Sequence, residues 1–274
     1  MTPPELTVVV GTRDRPDAVA ACLTALDAQR ADVPLDVVVV DDRSHDPGGL
    51  RRVVESVAGA RLVPCRALGI SAARNTGVAV AQTKYIAFTD DDCEPVPGWA
   101  AALLERLRGG AAVVCGTTIA DEQAGPLTVA SQLVANALLD ARVATAPSSS
   151  VGIRRDVALE IPWDESFLDI GGEERDWYAR LVLAGHTPVS EPRALVVHRP
   201  ALTLADFWRK HVRYGRGAYR YRRAYEGGRL ETTGFYSRLV GSSFRQGAPV
   251  GLAVCLAEAA TAVGFVAEAV AGRA

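Results

Sequence analysis

Five short runs rich in β-branched residues, each separated from the next by a segment with helical spacing, occupy the first 120 residues. The runs are "LTVVV" (6–10), "LDVVVV" (35–40), "ARLVPC" (60–65), "YIAF" (85–88) and "AAVVCGTTI" (111–119). They lack the apolar–polar alternation of a half-exposed strand, so they read as strands buried on both faces. Between the first two, Val19, Cys22, Leu23 and Leu26 recur at helical spacing behind Pro16 and Asp17, a pattern suited to a first turn. "GGLRRVVESVA", "GISAARNTGVAVAQT" entered through Gly69, and "GWAAALLERLR" (98–108) read as the next three helices. Strict alternation of strand and helix predicts an α/β fold. Its sheet is doubly wound and mostly parallel, with helices on both faces and right-handed crossovers.

Such sheets bind ligands at the carboxyl ends of their strands. Here those ends carry Gly11, Thr12 and Arg13, then Asp41 and Asp42, then Asp90, Asp91 and Asp92. Three consecutive carboxylates repel one another, which raises at least one pKa unless a positive charge intervenes. One acidic turn would read as solvated; two on the same edge of a sheet point to a site. The usual glycine cradles for phosphate are absent. Only Gly11 follows the first strand, no P-loop occurs, and the chain has two lysines, Lys84 and Lys210. The remaining way to hold a diphosphate is a dication bridging it to carboxylates, and hard oxygen ligands suit Mg²⁺ or Mn²⁺.

The second half is less regular. A helix is predicted around 127–142, then a strand and short helix over "SVGIRRDVALEI". "GGEERDWYARLVLAGH" (171–186) predicts a helix with Glu173, Glu174 and Asp176 in its first turn. Acids there complement the helix dipole by roughly 0.3–1 kcal/mol each, but the preceding Gly171-Gly172 also suits a cleft. "ALVVHRP" (194–200) reads as a strand ending in His198, a candidate metal ligand. The stretch 207–229 is dense in arginine and tyrosine, with Arg213, Arg216, Arg220 and Arg223 on one helical face and Gly215 and Gly217 expected to weaken that helix. This pattern suits nucleic acid, a diphosphate, an anionic headgroup or a solvated face. A net charge of -2 gives no whole-molecule reason to expect nucleic acid. In the tail, Leu252, Leu256, Ala259, Val263, Val266 and Val270 form a stripe away from Glu258 and Glu268. That stripe is expected to dock on the domain, on a second subunit or on a membrane. The five cysteines, Cys22, Cys65, Cys93, Cys115 and Cys255, form no paired motif. With no leader-like N-terminus, they fit a reducing, cytoplasmic setting, including the inner face of a membrane.

From about residue 6 to 225 these segments, in this order, resemble glycosyltransferases of family 2, inverting enzymes of GT-A fold. "TVVVGTRDRP", "VVVVDDRSHD", "GISAARNTGV", "YIAFTDDDCEP", "GGEERDWYARLVLAGH" and "VVHRP" with "YGRGAYRYRR" carry the resemblance. It implies a catalytic domain over 1–205, with a nucleotide-binding half (1–118) and an acceptor half (119–205), and a helical extension over 206–274. It implies a UDP- or GDP-linked sugar donor, a hydroxyl acceptor on a glycan, glycolipid or small metabolite, Mg²⁺ or Mn²⁺, and no nucleic acid. Contact through 207–270 with a membrane or a second copy is a further expectation. Gly11, Thr12, Arg13, Asp41, Asp42, Arg74, Asp90 and Asp91 would face the donor. Asp91, Asp92 and His198 would hold the metal, and Glu174, Glu173 or Asp176 would be the base. The chain departs from the family in Arg13, which stands where an aromatic is frequent, in the Glu173-Glu174 pair, and in the serines of "PSSSVGIRR". A sugar nucleotidyltransferase and a non-catalytic sugar-nucleotide module are the alternatives.

Overall fold

The computed structural model describes residues 3–139, 147–167, 171–200, 202–225 and 232–272. One eight-stranded sheet forms its centre. In chain order the strands are β1 (Leu6–Thr12), β2 (Leu35–Asp41), β3 (Ala60–Pro64), β4 (Tyr85–Asp90), β5 (Cys93–Pro95), β6 (Val113–Ala120), β7 (Val151–Arg154) and β8 (Val189–His198). The spatial order is β3-β2-β1-β4-β7-β6-β8-β5. β1 lies between β2 and β4, parallel to both, whereas β7 runs against β4 and β6, and β5 against β8. The sheet is therefore mixed, with its parallel part where the β-branched runs predict it. β5 has no sequence signal: three residues following an acid cluster become a strand only by pairing with β8.

Helices α1 (Pro16–Ala28), α2 (Pro47–Glu55), α3 (Ile70–Val80), α4 (Trp99–Arg108), α5 (Pro126–Leu139), α6 (Arg155–Glu160) and α7 (Glu173–Leu183) surround the sheet. The last three positions of the helix expected over 127–142 lie outside the described residues. One face of the sheet buries Leu23, Leu26, Trp99 and Leu103; the other buries Val78, Ile86, Trp163 and Trp177. Burying whole Leu or Phe side chains contributes about 1.5–3 kcal/mol each, so both layers anchor the strands whose ends carry the acids.

Three more helices, α8 (Leu204–Tyr225), α9 (Thr233–Arg245) and α10 (Ala248–Ala271), complete the chain. α9 is not apparent in the sequence pattern. Phe207, Leu239, Val254 and Ala257 share a third apolar cluster with Ala130 and Val134 of α5. α5 thus packs with the C-terminal helices, and a division at residue 205 crosses this core. Residues 226–229 of the basic stretch lie outside the described residues.

The apolar stripe on α10 faces the opposite way from simple docking on the domain. Leu252, Val263, Val266 and Val270 are more than half exposed, while Val250, Ala253, Val254, Ala257 and Ala260 are buried. Backbone proximity is the reason. A Cβ on Gly264 would lie 1.9 Å from the Val212 carbonyl oxygen, and one on Gly215 would lie 2.0 Å from that of Thr261. Only the small-residue face of α10 permits this approach, so the larger side chains turn outward. α10 is long and apolar enough to cross a membrane by length and composition, although its inner face is covered by protein.

Candidate active site

Strand register brings the acids together. Across β1, Gly11 is level with Val40 on one side and Asp90 on the other, and Thr12 is level with Asp41. The loops after β1 and β2 are tied together. Asp14, with φ of 57°, accepts from the His45 backbone N–H at 2.6 Å, and its own N–H donates to Ser44 Oγ at 2.9 Å. At this edge lies a cavity of about 460 Å³, walled by Thr12, Arg13, Asp42, Arg74, the three aspartates, Glu173, Glu174 and His198. α8 closes it with Lys210, Arg213 and Tyr214.

On the expected nucleoside side, Asp42 lines the cavity and accepts from Gly69 N–H at 3.1 Å. Asp41 does not line it; its carboxylate accepts from Ser44 N–H at 2.8 Å and closes the turn. Asp41 thus turns into its own loop, and of these two acids only Asp42 lines the cavity. Arg74 is buried, with its guanidinium 4.4 Å from the Trp163 ring centroid. It reaches Asp90 at 3.4 Å and donates to Ser148 Oγ. Its Nη1 is buried and has no hydrogen-bond partner among the described residues.

The aspartates are held by a residue that the sequence reading passed over. Arg15 donates to Asp91 at 2.7 Å and to Asp92 at 3.0 Å, and Thr12 Oγ1 donates to the second oxygen of Asp91 at 2.7 Å. Both Asp91 oxygens thus accept a hydrogen bond, one from Arg15 and one from Thr12, while Arg15 also spans to Asp92. Burial pushes Asp91 up to about 6 against the pull of Arg15. For Asp92, burial acts against ionisation, but the contacts with His198 and Arg15 outweigh it and hold the carboxyl well below the usual range. His198 Nε2 lies 3.3 Å from Asp92 Oδ1.

Asp92, Cys93 and His198 offer ligand atoms within 4.8 Å of one another. Burial and the nearby Asp90 and Asp92 raise the Cys93 thiol well above its ordinary value, and a soft sulfur is a poor match for a hard dication. That leaves one carboxylate and one imidazole, a donor set that fits a dication such as Mn²⁺ bound also by ligand oxygens.

The three acids at the start of α7 separate clearly. Gly171 and Gly172 have φ of 112° and 95°, a region favourable only to glycine, and they abut α8. A Cβ on Gly217 would lie 1.6 Å from Gly171 O. The glycines expected to weaken α8 are therefore its contact points, Gly215 against α10 and Gly217 against the α7 turn. Glu174 lines the cavity, and Ser148 donates to its Oε1 through the backbone N–H, at 2.8 Å, and through the hydroxyl. Glu173 is buried and accepts from Gly171 N–H at 2.5 Å; burial and the adjacent Glu174 raise its pKa. Asp176 lies off the cavity, ion-paired with Arg180 at 2.7 Å and accepting from Tyr225 hydroxyl at 2.5 Å. Helical spacing sets it on the flank that meets α8, where it clamps the two helices away from the cavity.

Arg15, Gln132, Ser148 and Lys210 join the lining or its supports without having been singled out. Lys210 was visible as one of two lysines, and Ser148 as part of an unusual serine run. Gln132 carried no signal, because its position depends on how α5 packs.

A family model described as Glycosyl transferase family 2 matches residues 7–155, more than half of the chain. The chain belongs to glycosyl transferase family 2. Among family relatives, the pre-mycofactocin glycosyltransferase of Mycobacterium tuberculosis is 29% identical over 233 residues, which is 78% of this chain and 47% of that protein. The chain thus spans about half the length of the first curated relatives it matches. Glycosyltransferase AglE of Haloferax volcanii is 23% identical over 227 residues, covering 79% of this chain and 73% of that one. Among solved structures, the mannosyltransferase PcManGT from Pyrobaculum calidifontis, in complex with GDP-Man and Mn²⁺, aligns over 97% of this chain and 76% of its own. The TM-score is 0.63 at 20% identity. A S. aureus TarS structure (1–349) aligns over 98% of this chain and 91% of its own, with TM-score 0.55 and 14% identity. These alignments show the GT-A-like fold of the family 2 chain.

Proposed function

We propose that this family 2 chain transfers a sugar from a nucleoside-diphosphate sugar to a hydroxyl acceptor, with inversion at the anomeric carbon. The observation that carries the reading is one cavity shared by the Asp92–His198 pair and by Glu174, whose carboxylate is oriented by Ser148. Asp42, Arg74 and Asp90 bind the nucleoside. Asp92 and His198 would hold a divalent cation, which as a Lewis acid would offset the charge of the departing diphosphate. The Lys210 ammonium, with no carboxylate in ion-pair range among the described residues, contributes a second positive charge from α8. Glu174 takes the proton from the acceptor hydroxyl. The hydroxyl oxygen bonds to the anomeric carbon as the carbon–oxygen bond to the diphosphate breaks on the opposite face, and the nucleoside diphosphate leaves. The structural neighbour PcManGT, solved in complex with GDP-Man and Mn²⁺, supports the donor and cation classes.

The test is a thermal-shift screen of UDP- and GDP-sugars with and without Mn²⁺, followed by nucleoside-diphosphate release from the best binder. A stabilising, Mn²⁺-dependent shift with slow hydrolysis of that donor is expected. Absence of both from every donor would overturn the reading, and binding without turnover would favour the non-catalytic module.

A further inference from the structure

His198 is held by a hydrogen-bond chain that starts well away from the aspartates. Gln132 on α5 is buried. Its amide nitrogen donates to Asn136 Oδ1 at 2.8 Å and to the Thr118 carbonyl of β6 at 3.4 Å. Asn136 in turn donates to the same Thr118 carbonyl at 3.0 Å. Two acceptors on the nitrogen side orient the Gln132 amide, so its Oε1 is the atom 2.7 Å from His198 Nδ1. An amide oxygen only accepts. Nδ1 must therefore carry a proton, and in a neutral imidazole the lone pair then sits on Nε2. That lone pair lies 3.3 Å from Asp92 Oδ1. Two electron-rich atoms so close require a positive charge between them, a proton or a cation.

We propose that Gln132 is a positioning residue that fixes His198 in the Nδ1–H tautomer and so prepares Nε2, together with Asp92, to bind a divalent cation. The proposal rests on the assignment of His198 and Asp92 as cation ligands. Supporting groups of this kind typically change metal affinity by about 10–100-fold when removed. It also gives α5 a role: the same helix that enters the C-terminal core carries the acceptor that orients the imidazole.

The test uses the full chain, with Mn²⁺ as the metal and GDP or UDP as the diphosphate probe. Mn²⁺ affinity is measured by the paramagnetic resonance signal of the free ion. Gln132→Met keeps the length but loses the acceptor, and is expected to weaken Mn²⁺ binding about 10–100-fold. In parallel, nitrogen NMR of histidine-labelled, metal-free protein above the histidine titration range reads the tautomer directly. Wild type should show His198 protonated on Nδ1, and Gln132→Met should show the mixture of an unrestrained imidazole. The proposal is overturned if wild-type His198 is the Nε2–H tautomer, a result that needs no variant to fold. It is also overturned if Gln132→Met binds Mn²⁺ like wild type while His198→Ala loses it. If His198→Ala itself leaves Mn²⁺ affinity unchanged, the cation assignment fails, a distinct outcome.

Discussion

Replacing Glu174 by glutamine separates proton transfer from everything else in the cavity. Glu174 Oε1 accepts from Ser148 N–H at 2.8 Å and from the Ser148 hydroxyl. A glutamine carbonyl oxygen keeps both bonds, and its NH₂ takes the volume of the other carboxylate oxygen, so shape and anchoring persist. The variant also removes a negative charge beside buried Glu173, whose pKa that charge helps raise. Folding stability should therefore hold within about 1 kcal/mol or rise, in line with substitutions that leave no cavity or orphaned group. What disappears is the proton acceptor. General-base catalysis typically contributes about 10²–10⁴-fold, or roughly 3–5 kcal/mol of barrier. The assay is nucleoside-diphosphate release with the sugar nucleotide chosen by the thermal-shift screen, alongside calorimetric titration of that donor. Glu174→Gln should bind the donor like wild type and lose about 10²–10⁴ in kcat. Glu173→Gln should keep turnover within about 10-fold, since it is anchored on Gly171 and buried. A Glu174→Gln enzyme with near-wild-type kcat, or the reverse pattern between the two variants, would refute the assignment of the base.

Lys210→Met should weaken GDP or UDP binding by about 10–100-fold, the loss expected of one charged hydrogen bond. Its melting temperature should hold or rise, because burial already disfavours this ammonium; unchanged nucleotide affinity would remove Lys210 from the site. Gly217→Ala would set a Cβ 1.6 Å from Gly171 O, forcing α8 from the α7 turn. It should cost about 1–3 kcal/mol, read by denaturant titration, and lower turnover because Glu174 follows that turn. Glu191 is buried between Arg193 at 2.8 Å and Arg106 at 2.7 Å, and their hydrogen bonds, Arg193 foremost, hold it down to about 2. Its unfolded form takes up a proton near the ordinary value of about 4.3. Its contribution is therefore present above that pH and lost as pH falls towards 2. Glu191→Gln should lower the melting temperature at pH 7 and flatten its decline across that acid window.

The parallel half of the sheet is readable from composition along the chain. Uninterrupted β-branched runs such as "VVVV" at 37–40 leave few alternatives to a strand buried on both faces. The ligand edge follows from them, because parallel strands aim all their carboxyl ends the same way. The acids at 90–92 were therefore legible as candidates, Glu174 was legible from the acid-led first turn of α7, and Arg74 came with the family resemblance. Their individual duties were not. Whether Asp41 or Asp42 faces the cavity, and that Glu173 and Glu174 line it while Asp176 does not, turns on rotation about a loop or helix axis. Adjacent residues there differ by a large angle and sequence patterns resolve only faces. The outward turn of Leu252 and Val263 on α10 belongs to the same class. An amphipathic pattern marks two faces, but the close approach at Gly215 of α8 and Gly264 of α10 decided which one the protein covers.

The chain's order of residues alone determined an α/β sheet of family 2 type, with acids along one edge and helices at its C-terminal end. That information is local: burial periodicity and strand direction depend on neighbours within a few residues. Only the tertiary structure decided that Arg15 spans Asp91 and Asp92, that β5 pairs with β8 to set Asp92 beside His198, and that Gln132 and Ser148 orient the imidazole and the carboxylate. Apart from Arg15, these contacts join residues from different elements brought together by sheet pairing and helix packing. Their energies depend on distances of a few tenths of an ångström, which no pattern along the chain encodes.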